Sequence, residues 1–169
     1  MESLTISSIL GALILTFFAM EFMAWFMHKF VMHGFLWNLH EDHHVVTPGF
    51  FQKNDSFALM FAIPSFFLML FGSLAGYDLK FWIGSGILVY GIAYTIVHEI
   101  FIHRRAHWFG NGKNWYSRAL RKAHLDHHFT TGKEGARNFG MLIVHPKYYV
   151  AEIKKLRQKR SLSTAAKSS

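Results

Sequence analysis

Eleven of the twelve histidines in this chain fall into short clusters. His28 and His33 stand five residues apart, and His40, His43 and His44 follow as HEDHH. His98 and His103 are again five apart, with His107 four residues on; His124, His127 and His128 form HLDHH, and His145 stands alone. In an H-x-x-H-H stretch the imidazoles at i, i+3 and i+4 share one face of a helix and can converge on a point. Residues five apart are about 140° out of phase on a regular helix. Those pairs converge only where the helix ends or unwinds, and Gly34 after His33 and Arg104-Arg105 after His103 are consistent with ends there.

Neutral imidazole is a ligand for zinc, copper, iron or nickel. Ten imidazoles are too many for one tetrahedral zinc, which takes four. They suit two metals of higher coordination number, about five imidazoles each, with room for oxygen species between them. The acids within reach as partners of the ligands are Glu21, Glu41, Asp42, Glu99 and Asp126. Glu21 lies seven residues before His28, on nearly the same helix face; it either orients that imidazole or sits as a neutral carboxyl among apolar neighbours. A different chemistry is written over the same residues. His40-Glu41-Asp42-His43-His44 matches H-E-x-x-H, which would make a membrane zinc hydrolase with Glu41 as general base. That reading uses two histidines, leaves the others unexplained, and gives no reason for the second H-x-x-H-H. The chain has no cysteine, which excludes a disulfide scaffold, a thiolate zinc site and a Cys-held iron–sulfur cluster.

The elements that must position these histidines are apolar. Half of the 169 residues (51%) are hydrophobic, 18 of them Phe, and they come in long runs. Residues 4–27 contain one acid, Glu21, and no base; residues 57–77 and 81–102 are comparable, the last carrying His98 and Glu99 near its end. A spanning helix needs about 20 mostly apolar residues, and each run meets that length. Pro64 falls inside the second run, where membrane helices tolerate it. The first run lacks a basic leader and continues into the histidines, so it is read as a retained span rather than a cleavable signal. The short link 76–80 makes the second and third spans a hairpin, which brings residues 28–56 and 103–169 to one side of the membrane. That side holds 17 of the 18 Lys and Arg, Lys80 being the exception. The positive-inside rule makes it cytoplasmic and places the N-terminus outside. The formal charge of +8 is thereby a topology signal and needs no nucleic acid. Residues 115–129 read as a helix with a basic face, 130–138 as a loop, 139–150 as an interfacial or re-entrant segment, and 154–169 as a basic, disordered tail. The expected fold is all-α: an integral membrane helical bundle of about three transmembrane helices with a cytoplasmic histidine-rich helical cap, one domain over 1–153.

Four histidine boxes in the order HxxxxH, HxxHH, HxxxxH, HxxHH on a small polytopic chain resemble the fatty-acid hydroxylase/sterol desaturase superfamily of di-iron membrane oxygenases. Within it the chain is similar to the carotenoid ring hydroxylases: His28-Lys29-Phe30-Val31-Met32-His33-Gly34, Asn54-Asp55, Gly132-Lys133-Glu134-Gly135 and Phe139-Gly140 carry that likeness, which covers about residues 15–145. The resemblance implies an oxidoreductase, a monooxygenase that inserts one oxygen atom of O2 into ring C–H bonds, converting β-carotene through β-cryptoxanthin to zeaxanthin. It implies ten iron ligands: His28, His33, His40, His43, His44, His98, His103, His124, His127 and His128, with His107 as the alternative to His98. Glu21, Glu41, Glu99 and Asp126 are the carboxylates that would tune them. Two iron ions are the implied cofactor, with zinc a substitute in purified protein. Electrons would come from ferredoxin and an NAD(P)H-dependent reductase, since the sequence carries no dinucleotide fingerprint, docking on the basic surface around Arg118, Arg121 and Lys122. The implied location is a bacterial inner membrane, and the implied partners are lipid and a carotenoid. A related fatty-acid or sterol hydroxylase, desaturase or ketolase is the alternative within the superfamily.

Overall fold

The structure is a computed structural model that describes residues 4–45, 49–106, 108, 110, 112 and 114–166. Helix α1 spans Ile6–Phe26 and is opened by Thr5, whose hydroxyl accepts from the Ser8 N–H at 3.2 Å. The helical path does not stop at Phe26. It widens over Met27–Phe35 into i→i+5 hydrogen bonding, then breaks at Gly34 (φ −107, ψ −123) and turns into α2, Trp37–His44. A single 3-10 turn, Lys53–Asp55, leads into α3, Ser56–Leu74. The chain reverses within a few residues through left-handed Gly76 and Tyr77, and Asp78 caps α4, Leu79–Tyr94. Helix α4 also continues in the wider form, over Thr95–Ile102. Helices α5, Trp115–His128, and α6, Pro146–Ala165, complete the chain. No strand occurs among the described residues.

Three of these helices, Ile6–Phe35, Lys53–Leu74 and Leu79–Ile102, are long and apolar enough to cross a membrane, with mean hydropathies of 2.0, 2.1 and 1.5. They match the three expected spans. The first is longer than the expected 4–27 because the widened turns keep the helix going to Phe35. Helix α4 lies between α1 and α3, and small residues let the backbones close. A Cβ on Gly84 would lie 2.8 Å from the Ser65 carbonyl, and one on Gly86 would lie 2.7 Å from Thr16. Ser65 in turn donates to the Gly84 carbonyl at 2.7 Å. The outer faces remain open: Leu15, Phe22 and Phe66 keep 74%, 61% and 61% of their surface exposed, a surface suited to lipid.

Beyond the spans, α5 packs on α6 around Ile102, Ala119, Leu120, Ala123, Val144 and Tyr148. The 139–150 segment, expected to be interfacial or re-entrant, is not one continuous element. Its first half is an irregular loop folded inward, with Met141, Leu142 and Val144 buried, and its second half begins α6. Pro146 in the first turn and His145, whose Nδ1 accepts from the Lys147 N–H at 3.2 Å, set that start. The tail expected to be disordered from Lys154 is instead helical as far as Ala165. Its Lys, Arg, Gln and Leu residues are good helix formers, and buried Tyr148 and Glu152 anchor the preceding turns.

Candidate metal centre

All four histidine boxes meet beyond the ends of α1 and α4. The widened turns account for the five-residue spacing: with i→i+5 bonding, as in His103 N–H to the His98 carbonyl at 3.0 Å, residues five apart come round to one side. The spans therefore change pitch at the histidines instead of ending between them. His28 and His33 are brought to ring centroids 5.3 Å apart, and His98 and His103 to 4.6 Å. In α2 and α5 the i, i+3, i+4 pattern places His40, His43, His44 and His124, His127, His128 toward the same space.

The imidazoles divide into two abutting groups. His28, His33, His40, His44 and His127 each offer a nitrogen, all within 4.8 Å of one another; His43, His98, His103 and His124 do the same. The ring of His128 lies 4.5 to 4.9 Å from His124, His43 and His103 and stacks on His44 at 4.5 Å, so it sits where the two groups meet. His107 lies outside the described residues. His145 caps α6 and takes no part.

Hydrogen bonding decides which nitrogen faces inward. In the first group Nδ1 is held by a carbonyl oxygen in every case: His28 by Phe139 (3.1 Å), His33 by Lys133 (2.9 Å), His44 by Thr130 (2.9 Å), His127 by Arg137 (3.0 Å), and His40 by the Asn54 side chain (2.6 Å). A carbonyl only accepts, so Nδ1 carries the proton and Nε2 is left as a bare lone pair. Those Nε2 atoms face each other: His33–His44 at 3.1 Å, and His33–His127, His40–His44 and His44–His127 each at 3.2 Å. Lone pairs at that distance repel unless a cation lies among them. The buried Nε2 atoms of His28, His98 and His128 likewise have no hydrogen-bond partner among the described residues. The donor set therefore fits metal: nitrogen ligands in the metal-binding tautomer, aimed at common points.

Burial keeps His103 and the imidazoles of α2 and α5 neutral. It is the main cause that holds His43, His103 and His124 below the ordinary histidine value, with neighbouring imidazoles adding to it. It lowers His40 to about 3, His44 to about 4, His127 to about 2 and His128 to about 3. At neutral pH protons do not compete for the inward lone pairs.

Two members of the second group, His98 and His43, are held by side chains. His98 Nδ1 donates to Glu99 Oε1 at 2.6 Å, and His43 Nδ1 to Gln52 Oε1 at 3.1 Å. Arg105 binds both acceptors: its Nε lies 2.7 Å from Glu99 Oε2 and its Nη2 2.9 Å from Gln52 Oε1. The same guanidinium pairs with both oxygens of Asp55 at 2.7 and 2.9 Å. Asp42 accepts the backbone N–H of Lys53 at 2.6 Å and of Asn54 at 3.4 Å, which fixes the turn that aims Asn54 at His40.

Of the four carboxylates singled out from the sequence, the structure brings only Glu99 onto an imidazole. Glu41 is exposed, away from His40 and His44, so the zinc-hydrolase motif lacks its base. Asp126 accepts from Tyr148 at 2.9 Å and ties α5 to α6. Glu21 does not orient His28 directly; its partners are Tyr90 and the 141–143 backbone. Arg105, Gln52 and the carbonyls of 130–139 were not found by sequence reasoning. Only Asn54, within a segment quoted for its likeness, had any signal.

The chain belongs to the fatty acid hydroxylase family, which it matches over residues 13–146. Among individual proteins it is similar to the beta-carotene hydroxylase of Pseudescherichia vulneris, 40% identical over 131 residues that cover 76% of this chain and 73% of that protein. The beta-carotene hydroxylase of Pantoea ananas is 39% identical over 131 residues (78% and 74%), and that of Paracoccus sp. (strain N81106 / MBIC 01143) 31% over 149 residues (88% and 88%). No solved structure matches the chain.

Proposed function

We propose that this protein is an O2-dependent di-iron membrane hydroxylase acting on the β-ionone rings of carotenoids, taking β-carotene through β-cryptoxanthin to zeaxanthin. The observation that carries the reading is the convergence of bare Nε2 lone pairs in two abutting groups, in a chain similar along most of its length to beta-carotene hydroxylases. His28, His33, His40, His44 and His127 would hold one iron, and His43, His98, His103, His124 and His128 the other. Iron held there supplies the redox chemistry that an unactivated C–H bond, with no acidic proton or polarised carbonyl, requires.

The protein's own part is to hold and to exclude. Outward-held Nδ1 protons fix His28, His33, His40, His43, His44, His98 and His127 in the ligating tautomer. A groove of about 440 Å3 lies between α1 and the 140–143 loop, lined by Phe18, Glu21, Phe22, Trp25, Gly140 and Ile143. It adjoins a second space of about 310 Å3 lined by Phe139, whose ring rests on His28 at 5.4 Å. The two spaces share Trp25, Gly140 and Ile143, a surface on which a ring end of a membrane-dissolved polyene would approach Phe139. Electrons come from a separate protein, a ferredoxin served by an NAD(P)H-dependent reductase, docking near exposed Lys122 on the basic face of α5. The basic bias of the histidine side supports a cytoplasmic orientation in a bacterial inner membrane.

The test is expression in a bacterium engineered to accumulate β-carotene, followed by pigment chromatography. Cryptoxanthin and zeaxanthin are the expected products. Their absence from well-expressed protein with a competent electron donor overturns the assignment.

A further inference from the structure

Glu21 is a buried acid inside a membrane-length helix, a placement that asks for a reason. Its Oε1 accepts from three successive backbone N–H groups, Met141 at 3.1 Å, Leu142 at 3.0 Å and Ile143 at 2.8 Å. Its Oε2 accepts from Leu142 N–H at 3.1 Å and from the Tyr90 hydroxyl at 2.7 Å. Every one of these partners donates, which is the set that an acceptor-only carboxylate takes. Successive N–H groups turned toward one acceptor form an anion-binding nest. The nest depends on a tight turn at Gly140, where a Cβ would lie 2.0 Å from the Ile143 carbonyl. Directly before that turn, Phe139 accepts the His28 Nδ1 proton through its carbonyl and rests its ring on His28, His33 and His127 at 5.4, 5.2 and 5.2 Å.

We propose that Glu21 is a positioning residue for the first histidine group. By tethering 141–143 to α1 it fixes the Phe139 carbonyl, and that carbonyl fixes the tautomer and aim of His28. Buried N–H groups at membrane depth cannot turn to water, so without the carboxylate the loop takes another path and the carbonyl moves with it. A glutamine has the same size but offers one acceptor, and its NH2 would face donors. The inference rests on the reading of the centre as iron-binding.

The experiment is iron uptake by the full chain purified in detergent, read as bound iron per chain and by Mössbauer spectroscopy. Wild-type protein loaded with ferrous iron is expected to show two environments. Glu21→Gln is expected to shift or abolish one signal and leave the other unchanged, with bound iron falling toward half. Tyr90→Phe, which removes one donor from Glu21 and none from the loop, is expected to perturb the same signal to a smaller extent. Glu21→Gln protein with both signals intact overturns the proposal, as does equal loss of both from folded protein. Should Glu21→Gln not fold, an unaltered Tyr90→Phe spectrum overturns it. A wild-type chain that binds no iron overturns the proposed function itself, and this inference with it.

Discussion

The two histidine groups share one sequence pattern, a pair five apart plus members of an H-x-x-H-H helix, yet they are held in opposite ways. In the first, five Nδ1 protons go to neutral carbonyls, four of them backbone atoms of a single loop, 130–139. In the second, the Nδ1 partners of His98 and His43 are side chains, Glu99 and Gln52, both gripped by Arg105. One group is therefore set by the path of the chain and is electrically neutral; the other is set by a charged clasp. A carboxylate on the outer nitrogen makes an imidazole a stronger donor, so a metal held by the second group would be favoured in its more highly charged state. The comparison also says where each is vulnerable: the first to changes of loop length, the second to changes of side chain.

The most severe test removes a ligand from either group. His127→Ala and His43→Ala are each expected to abolish hydroxylated product while the protein remains in the membrane, a larger effect than the about 10–100-fold typical of outer partners. Bound iron should fall by the share of the damaged group alone. Equal loss from both positions in either variant would show that the groups are one site.

Next in size is an insertion. One glycine added after Glu134 displaces the Arg137 and Phe139 carbonyls that hold His127 and His28. Iron titration is expected to show about 100-fold weaker binding at the first position and little change at the second. Truncating Lys133 or Glu134 to Ala should do almost nothing, because the acceptors are backbone atoms. Arg105→Ala reverses the pattern, with about 10-fold or greater weakening at the second position and a small effect on the first through Asn54. Arg105→Lys should recover only part, since an ammonium cannot grip both oxygens of Asp55 as the guanidinium does. If Lys recovers everything, the clasp acts by charge and not by geometry.

This contrast also explains what the sequence could and could not reveal. The spans were legible because apolar runs of membrane length have few other uses, and the histidines because their types and spacings are specific. The five-residue pairs were legible only as a conflict with regular helix geometry, which the structure resolves by a wider turn and not by an end. Nothing in the residue types of Thr130, Lys133 or Arg137 announces that their carbonyls hold imidazoles, since every residue has a carbonyl. Glu21 stood out as a charge in a span, but its partners lie 69 residues away at Tyr90 and 120 or more away at 141–143, beyond any periodicity. Arg105 looked like a helix stop and positive-inside bias, and it is the clasp.

The smallest expected effect belongs to Glu41. Both groups are completed without it: His40 is oriented by Asn54 and His43 by Gln52, and Glu41 itself is exposed. Glu41→Gln should leave iron content at both positions and the pigment profile unchanged. A general base in an H-E-x-x-H hydrolase would contribute about 10²–10⁴-fold to rate, so even a modest assay separates the cases. A loss of that size would mean that Glu41 turns inward in the working protein. His40 and His44 would then serve a hydrolytic site, and the division into two iron-holding groups would have to be redrawn around α2.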